Sequence, residues 1–184
     1  MDLCCKHPDA KQGAGTRQVG SGIMYFYRLS LSVLFVFSTP IFASWMSGQA
    51  KVDITGPIYD SATMGYAAPT PMGSGLHQRL YARAFAIQDG HNQNFFMIHT
   101  DTCFVTMALK ERVLKNLRLA LPQLGLSHAN LMIMASHTHS APGGFSNHFY
   151  YNAPSNGMVE ENFEILHKGI TQAAIEAYLS LIHI

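Results

Sequence analysis

The chain has 184 residues, a formal net charge of +1 and 12% charged residues, which is length enough for one ordinary domain with a buried core. So even a balance supplies neither a basic face for nucleic acid nor an acidic tail, and electrostatics singles out no macromolecular partner. Three cysteines, Cys4, Cys5 and Cys103, cannot build the disulfide framework of a small secreted scaffold.

In chain order, the first signal is a leader. The stretch "MYFYRLSLSVLFVFSTPIFAS" sets Arg28 before an apolar run from Leu29 to Ala43 and ends in the small residues Ala43 and Ser44. That is the layout of a secretory signal peptide, and the run is short for a membrane span. It predicts a start at Met24, entry into the secretory pathway and a secreted or cell-surface protein. Residues 1–47 are therefore set aside as leader.

The next segment, "QAKVDIT", reads as a short strand and is followed by the Gly/Pro-rich loop "GPIYDSATMGYAAPTPMGSG". "RLYARAFAIQ" and "NFFMIHTD" flank "DGHNQ", whose Asp89-Gly90 pair predicts a hairpin of two antiparallel strands. From Thr106 to Leu121, Leu109, Val113, Leu114, Leu117 and Leu121 recur at helical spacing opposite a charged side, and Pro122 and Gly125 follow as stop signals. "ANLMIMASHTH" reads as a buried strand, residues 140–157 as a loop, and Val159 to Leu181 as a second amphipathic helix.

These pieces predict an α/β fold: a mixed sheet with an N-terminal β-hairpin and a strand-helix-strand crossover through Phe95–Thr100, Thr106–Leu121 and Leu131–Ser136. A crossover joins parallel neighbours, so both strands end at one edge and bring Asp101 beside His137 and His139. Side chains two apart on an extended backbone face the same side, and the carboxyl ends of parallel strands are where open α/β sheets carry their sites. Two imidazoles beside a carboxylate there suit a metal ion or general-base chemistry.

Each feature also has a plainer reading. Histidines cap, pair and fill polar edges; Asp101 equally suits the cap of the following helix. Ser140 lacks a Gly-x-Ser-x-Gly elbow and reads as a turn residue. His99 reads as a core histidine, Cys103 as a small buried apolar side chain, and His77 and Arg79 as surface polarity.

The motifs "DITGP", "MGYA", "SGLHQRLYARAFAI", "HTDTC" and "ASHTHSAPGGF" together resemble the neutral ceramidases, in that family's order and across Lys51 to Ala177. The resemblance implies a zinc amidohydrolase that cleaves the N-acyl amide of ceramide at membrane surfaces. It implies His137 as a zinc ligand, His139 as the histidine assisting at the scissile amide, and His77 with the Gly65 backbone as contacts to the polar head of the sphingoid base. Asp101 is then the candidate for orienting a histidine from behind. The family's other donors, a His, a Glu and a Tyr, and a candidate serine, lie further along than residue 184. Residues 48–178 are thus expected to form an incomplete N-terminal part of a larger catalytic domain, inactive alone, with "LSLIHI" at 179–184 as a foreign tail. Ala141 stands where the family commonly has Gly. Two alternatives are a barrel-type metal-dependent amidohydrolase, in which both histidines bind metal, and a non-enzymatic secreted product of a truncated gene.

Overall fold

The computed structural model describes residues 44–66 and 71–184; residues 1–43 of the expected leader, with the expected signal peptide and Cys4 and Cys5, lie outside the described residues, whereas Met46 and Ser47, set aside with that leader, belong to the first strand. Five strands form one sheet in the order β4-β3-β2-β1-β5. β1 (Met46–Asp53), β2 (Tyr81–Gln88) and β3 (Asn94–Thr100) form an antiparallel meander. Helix α1 (Met107–Ala120) then crosses over to β4 (Leu131–Ala135), which pairs parallel with β3. A short helix α2 (Phe149–Asn152) precedes the long α3 (Glu160–Leu179), and β5 (Ile182–His183) returns to the edge of β1. The expected mixed sheet, hairpin and crossover are all present. Among the described residues, no helix is long and apolar enough to cross a membrane.

The hairpin turns where Asp89-Gly90 predicts it. Asp89 Oδ1 accepts from the amides of His91 and Gln93, and Asn92 takes a left-handed conformation at φ 61°, which Asn tolerates better than most residues. α1 starts at Thr106, whose hydroxyl accepts from the Leu109 amide at 3.1 Å; this threonine, rather than Asp101, is the cap.

Helices α1 and α3 pack on each other and cover one face of the sheet. Ala82, Ala84 and Ala86 of β2 and Phe96 and Ile98 of β3 are buried beneath them, alternating as a half-covered sheet requires. The small size of the three alanines lets α3 lie close, and so does Gly48 of β1, where a Cβ would collide with the Ala177 carbonyl. The other face keeps Phe85, Phe95 and Met132 at 40%, 38% and 44% exposure. β4 is therefore an edge strand with only Leu131 buried, not the buried strand its apolar run suggests. His99 alternates onto the same open face and is half-buried rather than a core residue. The segment at 179–184 pairs through Ile182 and His183 with Ser47 and Met46.

Candidate metal centre

β3 and β4 end together: Thr100 is level with Ala135, and the Ser136 amide donates to the Thr100 carbonyl at 2.9 Å. Beyond that edge the chain turns sharply, because His137 adopts φ 61°. The two histidines meet through this left-handed turn, not through the alternation of an extended strand. Their rings stand at 81° with centroids 5.0 Å apart, and their Nε2 atoms are 3.4 Å apart.

His137 Nδ1 donates to the Cys103 carbonyl at 2.9 Å. Nδ1 must carry the proton to do so, which leaves Nε2 an acceptor facing His139 Nε2 and fixes the ring's direction. Two nitrogens on one tetrahedral zinc, at about 2.05 Å each, stand about 3.3 Å apart, close to the 3.4 Å between the Nε2 atoms. The donor set is thus a good fit to a borderline-soft divalent ion.

Cys103 lies beside the pair. Its Sγ is 3.9 Å from His137 Nδ1, and one donor atom from each of Cys103, His137 and His139 lies within 4.8 Å of the others. Burial pushes its thiol pKa up, so without a metal it stays protonated at neutral pH. Cys103 is the small buried side chain read from the sequence, packed in the core cluster, and its place beside the His pair is what that reading did not include. The available signal was its position, two residues past Asp101, at the same sheet edge as the His pair.

A second loop forms the opposite wall. The Met64 amide donates to Ala141 O at 3.0 Å and the Gly143 amide to Ala62 O at 2.8 Å. From α3, the fully buried Asn162 donates through Nδ2 to both Pro142 O (3.1 Å) and Gly143 O (2.8 Å). The "HTHSAPGG" loop is thereby tied to the "MGYA" loop and to a helix. Ala141 is buried and does not need a positive φ, so alanine is unstrained where the resembling family commonly has glycine. Ser140 is an exposed turn residue whose amide donates to Thr138 Oγ1.

Gly65 takes φ 104° and lies against the His139 ring, while Tyr66 meets that ring edge-on at 5.3 Å. Between the loops opens a cavity of about 820 Å³ reaching His137 and Cys103 and lined also by Gly65, Tyr66, Met72 and Tyr150. This is the size of a small-molecule site. No Asp, Glu, Lys or Arg occurs from residue 136 to 159, so this wall is uncharged. Tyr151 is held from inside by an aromatic row, with Phe104 5.4 Å from both Tyr151 and Phe145.

The structure thus brings together His137, His139, Gly65 and Cys103, but not His77 or Asp101. His77 is exposed on the approach to β2, outside the cavity lining. Asp101 turns away from the imidazoles: Oδ1 accepts from Arg83 at 2.8 Å and Oδ2 from the Tyr81 amide at 3.0 Å. It clamps the end of β2 to the end of β3, and the Cys103 carbonyl takes the orienting place beside His137.

Residues 45–183 match the family described as neutral/alkaline non-lysosomal ceramidase, N-terminal. Neutral ceramidase A of Dictyostelium discoideum is 33% identical over 139 residues, covering 76% of this chain and 20% of that protein. The neutral ceramidase of Oryza sativa subsp. japonica is 32% identical over 166 residues, covering 90% and 21%. Among solved structures, neutral ceramidase from Pseudomonas aeruginosa superposes with a TM-score of 0.72 at 32% identity, over 77% of this chain and 22% of that one. The chain spans about a fifth of the length of these relatives. Matched over three quarters of its residues in sequence and in fold, the chain belongs to the neutral/alkaline ceramidase family and corresponds to the N-terminal region of its relatives.

Proposed function

We propose that this chain supplies one wall of a zinc-dependent site that hydrolyses the amide bond of ceramide to sphingosine and fatty acid. The observation that carries the reading is the His137–His139 pair, with its Nε2 atoms 3.4 Å apart and His137 Nδ1 committed to a carbonyl, in a chain of this family. A solved relative is described as a ceramidase complexed with C2, which supports a lipid amide as substrate.

A zinc ion bound here would polarise the amide carbonyl and supply an activated water. His137 would hold that ion through Nε2. His139, next to it and packed between Gly65 and Tyr66, would give a proton to the leaving amine nitrogen, without which an amide is a poor leaving group. The Gly65 backbone faces the cavity, where a sphingoid head would lie; His77 would need the approach to β2 to close over it. The apolar, uncharged lining suits lipid chains.

The zinc ligands and serine that the resemblance implies further along are absent from these 184 residues, so we infer that the chain alone is inactive. The leader supports secretion or display at the cell surface, where ceramide in an outer leaflet is within reach. The test is a chimera in which residues 45–183 replace the matching region of the Dictyostelium enzyme. Ceramide hydrolysis by the chimera, lost on His137→Ala, is the expected result. An inactive but folded chimera, or robust hydrolysis by the 184-residue chain itself, would overturn the respective statement.

A further inference from the structure

We propose that Phe149, Tyr150 and Tyr151 of α2, with Tyr66 and Met72 across the cavity mouth, form a rim that dips into the surface of an electrically neutral lipid bilayer. It rests on the lipid-amide reading above and adds the surface through which that substrate would reach the cavity.

Phe149 is 87% exposed and Tyr150 81%, a large apolar area to hold in water. The exposure is built in, because the loop is fixed from inside. Buried Asn152 accepts through Oδ1 from the Ser146 amide at 3.0 Å and donates through Nδ2 to the Ser146 carbonyl. With Asn152 committed inward, Tyr150, about 200° round the helical turn from it, projects outward. Tyr66, Met72, Tyr150 and Tyr151 each line the cavity and are each exposed, so they stand at its mouth. Tyr150 meets Tyr151 edge-on at 5.6 Å. Tyrosine joins an apolar ring to a hydroxyl, and such side chains concentrate where hydrocarbon meets water. Charge selects the kind of surface. Residues 136–159 contain no Asp, Glu, Lys or Arg, and residues 54–78 contain Asp60 alone. Clusters of Lys and Arg are what draw a protein to anionic lipid, and neither loop has any, so a zwitterionic surface is the match. With the mouth opening inside the ring of contact, a lipid would pass from leaflet to cavity without its chains crossing water.

The test uses the full 184-residue chain with Trp45→Phe, which removes its single tryptophan, and with Tyr150→Trp as a fluorescent reporter. A second version carries Phe149→Trp instead. A third carries Leu119→Trp, at an exposed position near the other end of α1, about 18 Å along the helix from Met107. The apolar run at 29–43 can bind vesicles by itself, so the readout is which position meets lipid, not binding alone. The vesicles are phosphatidylcholine without ceramide. The reporters at 149 and 150 should shift to the blue and lose emission to lipid brominated in its acyl chains, while the reporter at 119 does neither. Adding phosphatidylserine should not strengthen the effect. Quenching of all three alike, of none, or only with phosphatidylserine present would overturn the proposal. So would a blue shift that grows with protein concentration in the absence of lipid, which would assign the rim to a second copy of the chain. Because no ceramide is present, the result is independent of hydrolysis. Insertion beside an inactive chimera would keep the rim and overturn the amide chemistry, and an active chimera with reporters left in water would do the reverse.

Discussion

Gly65 presses on His139: a Cβ on residue 65 would lie 2.8 Å from both Cε1 and Nδ1 of the imidazole. The glycine also holds φ 104°, a region L side chains rarely enter. Gly65→Ala must therefore both strain the backbone and push His139 away from His137. We expect a loss of about 1–3 kcal/mol in stability, together with weaker zinc binding. Thermal unfolding and zinc titration of the variant check this; unchanged metal affinity would show that His139 does not depend on the glycine for its place.

Asp101 illustrates what sequence alone could and could not say. Its position at the end of β3 follows from the hairpin and the crossover, both readable from Asp89-Gly90 and from the spacing of Leu109, Val113, Leu114 and Leu117. Its partner does not follow, because Arg83 reaches it across an antiparallel register that pairs Arg83 with His99 and Ala82 with Thr100, and register is a tertiary property. The left-handed turn at His137, the approach of Gly65 and the exposure of β4 are likewise set by how loops and edges pack. A period of 2 or 3.6 carries no record of them.

Replacing Asp101 with alanine tests the clamp against an orienting role. Loss of the charge-assisted bond to Arg83 and of the Tyr81 amide's acceptor should cost about 1–2 kcal/mol, held down by the 39% exposure of Arg83. Zinc affinity should stay within about twofold, since outer partners that do orient a ligand cost 10–100-fold when removed. Denaturant unfolding and metal titration separate the two: a large affinity loss at constant stability would return Asp101 to the metal site.

Thr106 sets the start of α1 and thus the length of the loop that carries Cys103. With its hydroxyl accepting from the Leu109 amide, Thr106→Ala should destabilise the chain by about 1 kcal/mol, and Thr106→Ser much less. Chemical denaturation of the two variants gives the difference directly; equal losses would point to packing of the threonine methyl group instead of the cap.

Acid should loosen the α1–α3 contact through Glu164. This α3 carboxylate lies 2.7 Å from Lys168 and 3.8 Å from Arg112 of α1, and it stands 3.0 Å from the buried His167 Nε2, though not aligned for a hydrogen bond. The hydrogen bond from Lys168, then the close approach of the His167 ring, holds its pKa at about 2 against an ordinary 4.5. A depressed carboxylate adds stability that is fully present above pH 4.5 and fades as the pH falls toward 2, since the unfolded chain binds the proton first. His167 Nδ1 meanwhile accepts from Asn116 of α1 at 3.2 Å, so the glutamate faces a histidine that also bridges the helices. Glu164→Gln should therefore lower stability at pH 6 and flatten its fall between pH 4.5 and 2. Urea midpoints for both proteins across that range are the measurement, and parallel curves would mean that other carboxylates govern acid unfolding.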